Sequence, residues 1–119
     1  MVDEHDVRRI ALSLPGTTEK SSYGTPGFRV KDRLFARIRE EGDVLVLFCA
    51  DEGEKQDMVR AQPHKFFTTP HYDGYALVLV RFEAVDVDEL QELLTDSWRL
   101  RAPKRLVAEY DSCALREVR

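Results

Sequence analysis

At 119 residues the chain is long enough to bury one hydrophobic core and too short for two, so a single domain over 1–119 is expected. An apolar fraction of 43% beside a charged fraction of 34% excludes a disordered chain, and no stretch has the length of a membrane span. The net charge of −4 excludes indiscriminate attraction to nucleic acid over the whole surface.

Asp3 or Asp6 caps a first helix in which Val7, Ile10, Ala11 and Leu14 share one face at the i, i+3, i+4, i+7 spacing, and Pro15-Gly16 ends it. A polar stretch with Gly24, Pro26 and Gly27 leads to a half-buried strand over 28–30, a turn over 31–33 and a return strand over 34–39. Alternation along the return strand puts Leu34, Ala36 and Ile38 on one face and Phe35, Arg37 and Arg39 on the other, with the arginines marking the wetter side. Glu41-Gly42-Asp43 turns the chain into 44–49, a continuous apolar run that predicts a central strand. Residues 51–62 predict a weakly amphipathic helix anchored by Met58 and Val59 and stopped by Pro63. Residues 64–74 read as irregular, and 75–82 predict a second strongly apolar strand. Asp86 with Glu89 resembles a capping box at the start of a helix whose stripe is Val87, Leu90, Leu93, Leu94 and Trp98. Pro103 suits the first turn of a last helix, with Leu106, Val107 and Tyr110 inward, before a polar tail from about 111.

Strands joined by short turns, without a βαβ rhythm, point to an α+β domain: an antiparallel sheet of four strands with helices on one face and the other face partly open. Charge is segregated along the chain. Residues 28–39 hold Arg29, Lys31, Arg33, Arg37 and Arg39 against Asp32 alone, 83–96 hold six acids and no base, and Arg99, Arg101, Lys104 and Arg105 follow at once. Such segregation gives an acidic protein a positive face.

The helix ending in Leu14-Pro15-Gly16, the run from Tyr23 to Val30, Leu34-Phe35-Ala36, His71-Tyr72 and the segment from Ser97 to Leu106 together resemble the YjbR/MmcQ-like proteins over roughly residues 4–108. The resemblance implies a frataxin-like (CyaY-like) sandwich and a role as a "double-wing" DNA-binding protein, and it brings no catalytic residues.

The basic hairpin suits phosphates, with Arg37 and Arg39 on the open sheet face and Arg29, Lys31 and Arg33 at or near a protruding tip; ordinary solvation of an exposed strand fits the same residues. Lys104 and Arg105 oppose the helix dipole in a first turn, which a bound anion relieves, or else they pair with Glu92 or Asp96. An aromatic pocket of Tyr23, Phe28, His71, Tyr72 and Trp98 offers a different site for a small molecule or a protein partner, although Trp98 also continues the core stripe of its helix. His64, His71 and Asp73 lack the spacing of a rigid metal site, so neither metal nor cofactor is expected. No serine sits in a GxSxG elbow and there is no phosphate loop. Cys49 and Cys113 read as reduced, buried thiols without a disulfide framework or a nearby activating group. A non-catalytic binding module is therefore expected, with DNA as its partner and the cytoplasm as its location, since the acidic N-terminus lacks a signal-peptide pattern.

Overall fold

In the computed structural model, which describes the backbone of residues 1–22 and 24–117 and the side chains of 1–21 and 24–112, acidic caps start three of the four helices. Asp3 accepts from the Asp6 amide (2.9 Å) and Asp6 accepts in return from the Asp3 amide (3.1 Å), a reciprocal box that opens α1 (Glu4–Ser13). Asp51 caps α2 (Glu52–Ala61) and Asp86 caps α3 (Val87–Arg101), each through the amide three residues on (2.8 Å in both). The last helix, α4 (Lys104–Glu117), follows Pro103 and continues through the segment expected to be a polar tail from 111. With no proline or glycine after Pro103, nothing in the sequence stops it. Among the described residues no helix is long and apolar enough to cross a membrane.

The sheet is wholly antiparallel and has six strands where four were expected, β1 (Thr17–Ser22), β2 (Thr25–Val30), β3 (Arg33–Ile38), β4 (Val44–Phe48), β5 (Phe66–Phe67) and β6 (Leu77–Arg81), in the order β1-β2-β3-β4-β6-β5. The two extra strands lie at its edges. β1, with the sequence TTEKSS, carries no apolar alternation and is defined only by its pairing to β2, from Thr17 opposite Val30 to Ser22 opposite Thr25. Hydrophobic periodicity cannot report such a strand.

A β-bulge alters the expected faces of β3. Phe28 pairs with Ala36 and Arg29 with Leu34, so Phe35 is the extra residue and has no partner on β2. Phe35 therefore joins Ala36 and Ile38 in the core beneath the helices instead of sharing a wet face with Arg37. All four helices contribute apolar side chains to that core, which holds Val7, Ile10, Phe28, Leu90, Leu94 and Trp98, with Met58, Val59, Leu106, Val107 and Tyr110 packed against it. The opposite face carries a smaller cluster of Val44, Val46, Leu79 and Tyr72, with Phe67 and Leu77 packed against it.

Beyond the Ala36–Leu47 pair, β3 and β4 part, and α3 fills the gap. The Ser97 hydroxyl donates to the Phe35 carbonyl (2.6 Å) and accepts from the Phe48 amide (3.1 Å), taking the place of a strand-to-strand bond. Its neighbour Trp98 is fully buried, as its position on the α3 stripe requires. The indole Nε1 donates to the Pro15 carbonyl (3.0 Å), which ties α3 to the end of α1, and the ring lies 5.2 Å from that of Tyr110.

Two substitutions test these attachments by chemical denaturation. Trp98→Ala is expected to cost about 3–5 kcal/mol, from lost burial and a residual cavity. Ser97→Ala is expected to cost about 1–3 kcal/mol, because it leaves the buried Phe35 carbonyl and the part-buried Phe48 amide unpaired where a methyl group fits.

Candidate functional site

The turn between β2 and β3 is two residues long, and both are in the left-handed region, Lys31 at φ 49° and Asp32 at φ 67°. A hairpin of this kind favours Asn-Gly, so a lysine is held there against its own conformational preference. Lys31, Asp32 and Arg33 are all exposed. The tip stands against the junction of α3 and α4: a Cβ added to Gly16 would lie 2.9 Å from Leu106 Cδ2 and 3.5 Å from Lys31 Cε, so the lysine stem runs beside the start of α4. On the other side of the tip, Arg101 donates from Nε to the Leu34 carbonyl (3.0 Å) and lies over the Phe48 ring, 4.3 Å from its centroid. Burial lowers the Arg101 pKa, and the nearby Arg33 charge lowers it further.

The two basic blocks, some seventy residues apart in sequence, thus come together where Arg33 lies close to Arg101 and where Lys31 lies close to Leu106, two residues on from the exposed Lys104. None of these four bases forms an ion pair with a described residue. The acids of α3 do not take up the bases of α4: Arg105 reaches Glu109 of its own helix (3.9 Å), and Arg99 is bidentate to Asp111 (2.6 and 3.1 Å). The Arg99 guanidinium holds the Asp111 carboxyl below the usual carboxylate range.

The remaining hairpin arginines are occupied elsewhere. Arg29 donates to the Asp32 carbonyl (3.3 Å) within the turn, and Arg39 pairs with Glu41 (3.2 Å). Arg37, expected as an exposed phosphate contact, is nearly buried, its side chain 12% exposed. It donates to the Tyr72 hydroxyl (2.8 Å) and to Thr25 Oγ1 (3.3 Å) and lies 3.7 Å from Glu40. The side chains that the strand period assigns to an open face are here partly covered by the 70–75 segment.

That segment makes one wall of a cleft of about 540 Å³ on the face opposite the helices. Leu34, Val46 and Leu77 of the sheet line it, with Phe48, His71, Tyr72 and Tyr75 supplying aromatic surface and Arg37 and Glu40 a polar end. Tyr72 is buried with His71 edge-on to it at 4.9 Å, whereas Tyr75 is 60% exposed at the rim. Lys55, only 4% exposed, anchors the wall by donating to the carbonyls of Tyr72 (2.7 Å) and Tyr75 (3.0 Å).

Of the aromatic pocket expected from sequence, His71 and Tyr72 line this cleft. Phe28 and Trp98 do not, since both are fully buried on the helical side of the sheet, and Tyr23 lies outside the described residues. Sequence reasoning missed Phe48, Tyr75 and Lys55. Phe48 reads as the end of a core strand and Lys55 as one more charge on a polar helix. Among the described residues no three His, Cys, Asp or Glu side chains gather as metal ligands, and His64, His71 and Asp73 are each exposed. Burial pushes the Cys49 thiol up to about 12, with Glu54 adding to the shift. The side chain of Cys113 lies outside the described ones.

The YjbR family profile matches residues 12–100. Uncharacterized proteins of Mycobacterium bovis and of two Mycobacterium tuberculosis strains are each 35% identical, over 88% of this chain and 92% of their own length. The crystal structure of a Deinococcus radiodurans protein, described as a DUF419 domain, shares the fold at a TM-score of 0.68 and 22% identity, covering 82% of this chain and 77% of that one.

Lys55→Met keeps the aliphatic stem and removes both hydrogen bonds to the cleft wall. It is expected to cost about 1–3 kcal/mol and to speed amide exchange at Tyr72, Asp73 and Tyr75 well before the β4 and β6 amides exchange. Unchanged protection of the 70–75 amides would show that the wall is held by other contacts.

Proposed function

The chain belongs to the YjbR family, and from that premise we propose that it is a non-catalytic module that binds nucleic acid, DNA included, through phosphates laid along the ridge of Lys31, Arg33, Arg101 and Lys104. The observation that carries this reading is the convergence of two sequence-distant basic blocks into a surface without ion pairs to described residues, on a protein whose net charge is −4. Cations left uncompensated beside one another repel, and a row of phosphates removes that repulsion while releasing counterions. Lys31 adds support. A glycine would occupy its left-handed position without strain, and strained positions concentrate where a side chain is needed for contact.

The double-wing DNA-binding role and the frataxin-like sandwich implied by the family resemblance accord with this reading: the β2–β3 hairpin with its exposed tip is wing-like, and one antiparallel sheet carries all four helices on one face. The groups best suited to nucleophilic chemistry are committed elsewhere. The Cys49 thiol stays protonated at neutral pH, and the Ser97 hydroxyl is bound to two backbone groups. A cytoplasmic location, where nucleic acid is at hand, fits the same role.

A salt titration of labelled DNA tests it. The logarithm of the affinity is expected to fall linearly with the logarithm of salt concentration, by roughly 0.9 per phosphate contacted on duplex. Arg33→Ala, Lys104→Ala and Lys31→Gly should each weaken binding to all sequences alike and lower the slope by about 1, whereas Arg39→Ala, which removes a cation already paired with Glu41, should leave it unchanged. Lys31→Gly should do this with stability unchanged or raised by up to about 1 kcal/mol, since it relieves the left-handed backbone. Absence of binding at low salt, or binding indifferent to all three ridge substitutions, overturns the reading.

A further inference from the structure

Resting on the phosphate-ridge reading, we infer that the cleft on the opposite sheet face takes one unstacked nucleobase while its phosphate lies on the ridge, so that the ligand is a single strand or a free nucleotide and not a closed duplex. The ridge and the cleft share residues. Arg101 is bound to the Leu34 carbonyl and lies over the Phe48 ring, and Leu34 and Phe48 both line the cleft, so a phosphate on Arg101 and Arg33 sits beside the cleft mouth. A cleft of about 540 Å³ falls within the range of small-molecule pockets and has room for a nucleoside.

The lining suits a base in two respects. Four aromatic side chains line it, of which His71 and Tyr75 are exposed, and any base stacks on such surface whatever its identity. At its polar end the Glu40 carboxylate, with its side chain 61% exposed and 3.7 Å from the Arg37 guanidinium, is an acceptor for an amino group at the edge of a base. Arg37 keeps its bonds to Tyr72 and Thr25 in this arrangement. Tyr75 stands at the rim with 60% of its surface exposed although its backbone is fixed by the buried Lys55. A large aromatic exposed to water on an anchored backbone is a stacking platform. Bases paired and stacked inside a duplex cannot reach a recess walled by the 70–75 segment, so use of the cleft selects for unpaired bases.

The experiment compares four labelled or competing ligands by anisotropy at fixed salt: a mixed-sequence single strand, the duplex of the same length, an abasic strand with the same phosphates, and a nucleoside monophosphate. The single strand is expected to bind about tenfold tighter than the duplex and the abasic strand to lose that advantage, in line with the stacking of one base. Tyr75→Ala should remove about the same tenfold from the single strand and leave both the abasic strand and the salt slope unchanged, and Tyr75→Trp should restore it. Competition by the monophosphate that is sensitive to Tyr75→Ala, with no polymer bound, assigns the base to a free nucleotide and rejects the ridge as a polymer track. Equal binding of single strand and duplex, indifferent to Tyr75→Ala yet lost in Arg33→Ala, overturns the cleft inference and leaves the ridge standing. Failure of every ligand overturns both.

Discussion

The Ser97 hydroxyl, set between the Phe35 carbonyl and the Phe48 amide, is the contact on which both surfaces of this molecule depend. Strands β3 and β4 run together only as far as Ala36 and Leu47 and then separate. An open seam in a sheet leaves backbone donors and acceptors without partners, a cost that folded proteins avoid. A helix hydroxyl short enough to enter the seam satisfies one group on each side. Arg101, one helical turn further on, takes the next carbonyl, that of Leu34. The bulge at Phe35 belongs to the same arrangement, because it turns one extra large side chain into the core and leaves Leu34 to the cleft. Helix, bulge and seam thus fix where the end of α3 meets the β2–β3 hairpin, and with it the position of the basic ridge.

The electrostatic character of the protein follows from this placement more than from its composition. Acids cap and populate the starts of α1, α2 and α3, where the helix dipole favours them, and they account for much of the negative total. Bases gather at the end of α3, at the start of α4 and at the hairpin tip. Packing brings these three places together on one side. A sum over the chain gives −4, and it does not report how the bases are segregated from the acids along the fold.

The cleft wall rests on a buried ammonium group. Lys55 carries its charge into a site where two carbonyls receive it, and the charge-assisted bonds hold a segment that has only a 3-10 turn over 70–72 of its own. The bond from a buried lysine to its backbone carbonyl distinguishes Tyr75 at the rim from an ordinary surface tyrosine. The matched family span, 12–100, contains the hairpin tip and the whole cleft lining, while Arg101 and Lys104 lie just beyond it.

Local interactions were legible in the sequence because they depend on residues a few positions apart. The Asp3, Asp51 and Asp86 starts, the α3 stripe from Leu90 to Trp98 (though not Val87, which is exposed), the stop at Pro15-Gly16 and the two apolar central strands all follow from capping chemistry and period. So does the antiparallel α+β class with helices on one face. What the sequence could not supply was anything fixed by partners far along the chain. Strand β1 exists because β2 accepts it, Phe35 is core because β3 bulges, and Arg37 is drawn from an exposed face by Tyr72, thirty-five residues away. Phe28 and Trp98 share aromatic chemistry with Tyr72, but they lie on the opposite side of the sheet. Side-chain type alone does not tell the two sides apart once a bulge has shifted the alternation. Only the tertiary structure could bring the two basic blocks together and set the cleft beside them, because such juxtapositions come from the packing of α3 into the seam between β3 and β4.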